Sequence, residues 1–163
     1  MMTEEIIGTV LNQLTTELDM VLNYYHGSPL AISNNLAKIK DGSQKYPCVV
    51  LFDEFEEKGE TDPTSLFDRT ATVNLFFMDV CRKEWTIEEH IENCIAPMSL
   101  VVDSFLELLD ISKYFGRVES FIRVNRSAWG LYIQSENNKK SVFPDLLSGV
   151  ELRVTLPIKK QFC

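Results

Sequence analysis

The sequence predicts an α+β fold: a single mostly antiparallel sheet of about five strands, packed against two long helices plus one short helix. Three observations predict it. Two stretches, 3–25 and 87–110, repeat apolar residues at three- and four-residue spacing. Five shorter stretches, at 48–52, 69–81, 118–124, 129–133 and 150–158, alternate or run apolar at strand length. Most connections between them suit antiparallel pairing, and no repeat, low-complexity run or composition shift divides the chain, so residues 1–163 read as one domain.

The first helix is predicted over 3–25, with Ile6, Ile7, Val10, Leu11, Leu14, Leu18, Val21, Leu22 and Tyr25 as its apolar stripe. Glu4 and Glu5 lie in its first turn, where the helix dipole favours negative charge, and Gly27 is the expected stop. Ser28-Pro29 then reads as an N-cap followed by proline at the first helical position, opening a short helix over 29–40 that carries Ile32, Leu36 and Ile39. Tyr46-Pro47 opens a strand whose core, Cys48 to Phe52, is apolar on both faces and so is expected to be covered on both.

Residues 53–68 read as a long polar connection. In the strand from Arg69 to Cys81, Ala71, Val73, Leu75 and Phe77 face one way; Phe76 and Met78 make the other face partly apolar. A neighbouring element or a partner subunit is expected to cover that second face. Thr86-Ile87-Glu88-Glu89 is a capping box, and the helix behind it carries Ile91, Ile95, Met98, Val102, Phe105 and Leu109 on one side. Pro97 inside it removes a backbone hydrogen bond, which predicts a kink near 93–97. The runs 118–124 and 129–133 are predicted to form a hairpin around Asn125–Ser127, with 135–141 a solvated loop. In the last strand, Val150, Leu152, Val154, Leu156 and Ile158 alternate with polar residues.

Composition is ordinary for a globular domain: 45% apolar, 25% charged, with 7 Gly and 6 Pro in 163 residues. The net charge of −8 disfavours a nucleic-acid binder that works by phosphate neutralisation, and a module for anionic membranes. The start Met1-Met2-Thr3-Glu4-Glu5 is unlike a secretory signal peptide, and no apolar run reaches the length of a membrane span. Cys48, Cys81, Cys94 and Cys163 are far apart without a C-x-x-C pair, and read as free thiols, the first three as small core residues. Asn125-Arg126-Ser127 matches a glycosylation sequon, which without a secretory signal reads as chance.

No catalytic or cofactor motif is visible. The Glu-Glu-His-Ile-Glu run around His90 lacks the second ligand that a zinc helix needs four residues away, so His90 reads as a residue on a solvated face. Cys94 is one turn from His90 but falls on the core side. Neither a G-x-S-x-G elbow nor a glycine-rich phosphate loop is present. The acids between Asp53 and Asp68 lack the order of an EF-hand and read as a solvated connection, though one long enough to serve as a contact arm. That segment holds seven acids and one lysine, a net of −6 out of the chain's −8. Glu54, Glu56, Glu57, Glu60 and Asp62 are therefore the candidate contacts for an oppositely charged partner surface, with Trp85 and Trp129 as candidate interface anchors. No catalytic, cofactor-binding or metal-binding residue is assigned.

The order of the short motifs Tyr24-Tyr25-His26-Gly27, Asn35-Leu36, Lys45-Tyr46-Pro47, Leu51-Phe52, Trp85-Thr86-Ile87-Glu88-Glu89, Ala96-Pro97-Met98, Trp129-Gly130 and Gly149-Val150-Glu151-Leu152 resembles a family of small proteins encoded by phages and prophages of Bacteroidetes. In organisation it is similar to the tail-completion and tail-terminator proteins at the neck of long-tailed phages. The resemblance implies a non-enzymatic virion protein that self-associates into a ring, contacts other virion proteins, and resides in the bacterial host cytoplasm before entering the virion. It implies no cofactor, no membrane and no sequence-specific nucleic acid, and an acidic ring would let DNA pass without sticking. Two other readings stand beside it: a small enzyme or metal-binding protein using Glu88, Glu89, His90 and Cys94, and a monomeric adaptor that binds a protein through its helices or acidic arm.

Overall fold

The structure is a computed structural model that describes residues 3–20, 22–40, 45–53, 55–59, 64, 67–129, 133–135, 138–140 and 144–159. Its order is α1 (Thr3–Thr16), β1 (Asn23–Gly27), α2 (Pro29–Lys38), β2 (Cys48–Phe52), β3 (Glu56–Gly59), β4 (Phe67–Val80), α3 (Ile87–His90), a π-helical turn (Ile91–Ile95), α4 (Ala96–Ile111), β5 (Ser120–Trp129), β6 (Ile133–Ser135), β7 (Asn138–Lys140) and β8 (Leu147–Lys159). The main sheet has six strands in the order β1-β2-β4-β8-β5, with β3 also on β4. Among the described residues only β1–β2 is parallel. The α+β class and the mostly antiparallel sheet therefore hold, with one strand more than expected.

β4 and β8 form the spine, paired from Phe67–Lys159 to Val80–Leu147. Their alternation decides what lies on each face. Ala71, Val73, Leu75 and Phe77 of β4, with Val150, Leu152, Val154, Leu156 and Ile158 of β8, face the helical layer. There they meet Ile6, Ile7 and Leu11 of α1 and Val102, Phe105 and Leu109 of α4; Phe77 and Phe105 lie edge to face at 5.3 Å. Full burial of each such side chain is stabilising by roughly 1.5–3 kcal/mol. On the other face, Cys48, Val50, Phe76, Met78 and Leu147 pack under Ile32 and Leu36 of α2. The apolar second face of β4 is thus covered from within the chain. Among the described residues the second core covers that half of the sheet; beyond it lie Thr72, Asn74, Arg153 and Thr155, a polar surface cross-linked by Thr72–Thr155 and Arg153–Asn74 hydrogen bonds of 3.1 Å each.

Two helical starts follow the sequence pattern closely. Ser28 accepts a hydrogen bond from Ala31 N–H, with Pro29 at the first helical position. Thr86 and Glu89 make both bonds of the capping box. Where a kink is expected from Pro97, the helix runs as a π turn at Ile91–Ile95 ahead of the proline, with Cys94 and Ile95 buried as their spacing predicts.

Four expectations about the elements are corrected. The first helix ends at Thr16, not Tyr25. Thr15 and Thr16 turn their hydroxyls back onto the Leu11 and Gln13 carbonyls, and Glu17 and Leu18 close tighter turns on Leu14 and Thr15. Asn23-Tyr24-Tyr25 then forms a strand, because aromatic residues suit a pleated surface and β2 offers an open edge. Gly27 ends that strand, at φ 149°, rather than capping a helix. Second, the connection at 53–68 is not an open loop: Glu56–Gly59 pairs with Arg69–Thr72, because β4 runs past the end of β2 and leaves those residues to be paired. Third, 118–124 and 129–133 are not hairpin partners. Residues 120–129 are one strand on β8, with a register shift between Arg126 and Trp129 and Ala128 at φ 49°. Asn125 and Arg126 stay paired and the strand bulges at Ser127–Ala128 instead of turning, since the long β8 supplies a continuous template. Fourth, within the predicted loop at 135–141, Asn138–Lys140 pairs with Ile133–Ser135 in a small separate sheet.

Candidate functional site

Two candidate contacts in the acidic segment, Glu56 and Glu57, sit on a strand paired antiparallel with β4. That strand, β3, is exposed along its whole length. Lys58 is 3.9 Å from Glu56, an exposed pair worth little. Glu54, Glu60 and Asp62 lie outside the described residues. Just ahead of β3, Phe55 packs against the first core and stacks on His26 at 6.1 Å. The strand is therefore anchored at its start.

The two tryptophans have different surroundings. Trp129 stacks on Phe76 at 4.9 Å and closes the second core, with the Arg126 guanidinium 5.4 Å from its ring centre. Trp85 lies half-buried, edge-on to His90 at 5.5 Å. Both are rim residues of the fold itself.

His90 is corrected most sharply. The expected solvated residue is 5% exposed. The π turn rotates the start of the helix so that His90 faces the sheet, where Nδ1 and Ser148 Oγ share a hydrogen bond of 2.9 Å. Ala128 N–H also donates to Ser148 Oγ, at 2.8 Å, from the positive-φ residue of the β5 bulge. Around this pair stand Cys81, Cys94 and Asp79. Burial raises the Cys81 thiol, partly offset by hydrogen bonds with Ser148 and Ala128. Burial pushes the Cys94 thiol up to about 12, with Asp79 and Cys81 adding to the shift. Its Sγ lies 3.5 Å from the Val80 carbonyl, to which it donates. Both thiols are protonated at neutral pH, and a thiol is a poor nucleophile and metal ligand. Among the described residues no group of three or more His, Cys, Asp or Glu could hold a metal ion. The cluster satisfies buried polar groups where the helix crosses the sheet end.

The surfaces left open are the sheet edges. Among the described residues, β5 pairs only with β8 along its ten residues, and β1 only with β2. Phe121 is 51% and Ile122 57% exposed, on opposite faces of β5. On the helical side Arg123 is fixed by Asp103 and by Ser99, whose carbonyl accepts at 2.9 Å. The sequence reading missed this edge because alternation in 118–124 fits a strand anywhere in a sheet; only the pairing order leaves it last.

No protein-family model matches the chain, and no curated protein matches it. The functional reading therefore rests on these surfaces and on the sequence pattern. No helix among the described residues is long and apolar enough to cross a membrane.

Proposed function

We propose that the chain is a non-enzymatic structural protein that assembles with copies of itself into a ring, in a phage tail or at the head–tail junction. One observation carries the reading: a ten-residue edge strand presents Phe121 and Ile122 to solvent. Open edges that carry large apolar side chains are templates for another chain, and monomeric proteins blunt them. The strand bearing Glu56 and Glu57 adds a charged projection suited to a neighbouring ring or tube. The order of sequence motifs supplies the phage setting.

Size-exclusion chromatography with light scattering tests the assembly. Multiples of the 18.7 kDa chain are expected, with ring-shaped particles in negative-stain micrographs. A species of 18.7 kDa alone at every concentration overturns the reading. Portal, capsid or tail-tube genes beside this one would support the phage setting, and metabolic neighbours would remove it.

A further inference from the structure

The two lateral edges of the sheet are complementary in direction, level and chemistry. β4 runs antiparallel to β8 and β8 antiparallel to β5, so β5 points the same way as β4. β2 is antiparallel to β4 and β1 parallel to β2, so β1 points the opposite way to β5. Copies placed side by side with their strands aligned would bring β1 of one against β5 of the next as an antiparallel pair, the better-bonded arrangement.

The edges also stand level. Across the ladder, His26 is in line with Leu51, Leu75, Leu152 and Arg123. Tyr24 is in line with Val49, Phe77, Val150 and Asn125. A sideways step without stagger therefore sets β1 directly opposite the middle of β5.

On the helical face the two edges carry opposite features. Beside β1 is an open cavity of about 460 Å³, whose lining includes Glu4, Glu5, Gly8, Thr9, Tyr24 and His26. Glu4 and Glu5 are exposed, and Glu4 lies 3.6 Å from His26 Nε2. Gly8 helps to shape the cavity: a Cβ there would fall 2.6 Å from the His26 ring. β5 presents Phe121 and Arg123 on this same face, opposite the core residues Val154 and Leu152. An apolar ring thus stands where the cavity would arrive, beside an arginine whose guanidinium Asp103 and Ser99 already hold.

Resting on the assembly reading above, we propose that the subunit junction is head to tail: β5 of one copy adds to β1 of the next, with Phe121 entering the cavity beside Glu4 and Glu5, while Arg123 stays paired with Asp103 of its own chain at the cavity's rim. Such an interface uses unlike surfaces, so it closes into a ring when the rotation per step permits.

Charge reversal on the intact chain tests this. Phe121→Glu sets an acid against Glu4 and Glu5 and should weaken association by about 100-fold or more, because like charges juxtaposed at an interface are strongly unfavourable. The double variant Glu4→Lys with Glu5→Lys, on an exposed helical turn, should weaken it independently. All three changes in one chain should restore assembly, since the charges are opposite again. Circular dichroism checks that each variant is folded. If the wild type assembles and either variant assembles equally well, the junction is wrong while the ring reading stands. If the variants dissociate but the combination is not restored, the pairing of these two edges is overturned. If the wild type is monomeric throughout, both readings fall.

Discussion

Arg126 reaches Glu151 with two nitrogens, Nε at 3.0 Å and Nη2 at 2.6 Å, and roofs the Trp129 ring. Glu151 is 5% exposed, so removing its partner strands a covered carboxylate. Arg126→Ala should cost about 2–3 kcal/mol in urea unfolding, discounted from a fully buried pair because Arg126 is partly solvated. Arg153→Ala should cost about 0.5 kcal/mol or less, for its guanidinium is half exposed and 3.9 Å from Glu151. Asp79 carries a pH signature. Burial raises its carboxyl above the ordinary value, against the Val80 N–H that lowers it. Between the ordinary value and the raised one, the folded chain keeps a proton that the unfolded chain has released. Stability from this group is present below the unfolded value and is lost as pH rises through the raised one. Asp79→Asn should therefore raise the urea midpoint near pH 8 and give no gain near pH 4 (~4 units lower). An equal gain at both would show that charge is not the cause. The two glycines with crowded surroundings separate in the same way. At Gly149 a Cβ would lie 2.0 Å from the Phe77 carbonyl oxygen, rigid backbone, so Gly149→Ala should cost about 3 kcal/mol or more. At Gly8 the obstacle is the movable His26 ring, and Gly8→Ala should cost far less.

At the level of elements, helix starts were legible and the first helix's end was not. Thr86-Ile87-Glu88-Glu89 and Ser28-Pro29 act through side chains within three residues of the backbone they bond, so spacing alone identifies them. Thr86→Ala should lower stability by about 1 kcal/mol, read as a shift of the thermal or urea midpoint. The apolar stripe from Leu14 to Tyr25 fits a helix, yet the chain turns at Thr16 because β2 has an edge to pair and two threonines favour the helix end. Residues 53–68 misled for a similar reason. Their polarity reads as a loop, but a four-residue edge strand needs no apolar face, only the free hydrogen-bonding groups of Arg69–Thr72. The candidate site was half legible: Glu56 and Glu57 stand exposed as expected, whereas the exposure of Phe121 and Ile122 follows from strand order. His90 was misplaced because the π turn changes which side of the helix it occupies.

For the molecule as a whole, the two cores divide the labour. The larger lies between the sheet and the α1–α4 layer; the smaller lies under α2 and is closed at its rim by Trp129. Trp129→Ala should open the smaller core and cost roughly 3 kcal/mol, less if the rim collapses. Assembly reads out the remaining surfaces. If β3 contacts a neighbour, Glu56→Gln with Glu57→Gln should weaken assembly in light scattering; unchanged assembly would leave the strand as a solvated projection. Added salt should soften the repulsion that Phe121→Glu sets against Glu4 and Glu5, since screening acts within about 10 Å at ~0.1 M.

By itself the sequence determined the class, the existence of the strands that became β4 and β8 though not their pairing, the side chains of those strands that face each way, and both helix caps. These depend on period and on neighbours three or four residues away. Tertiary structure alone decided that 23–27 is a strand, that 120–129 runs unbroken, and that β1 and β5 end the sheet. Pairing a strand is a contract with a distant segment: the same alternation serves an interior strand or an edge, and only the order of strands in space leaves a surface for another copy.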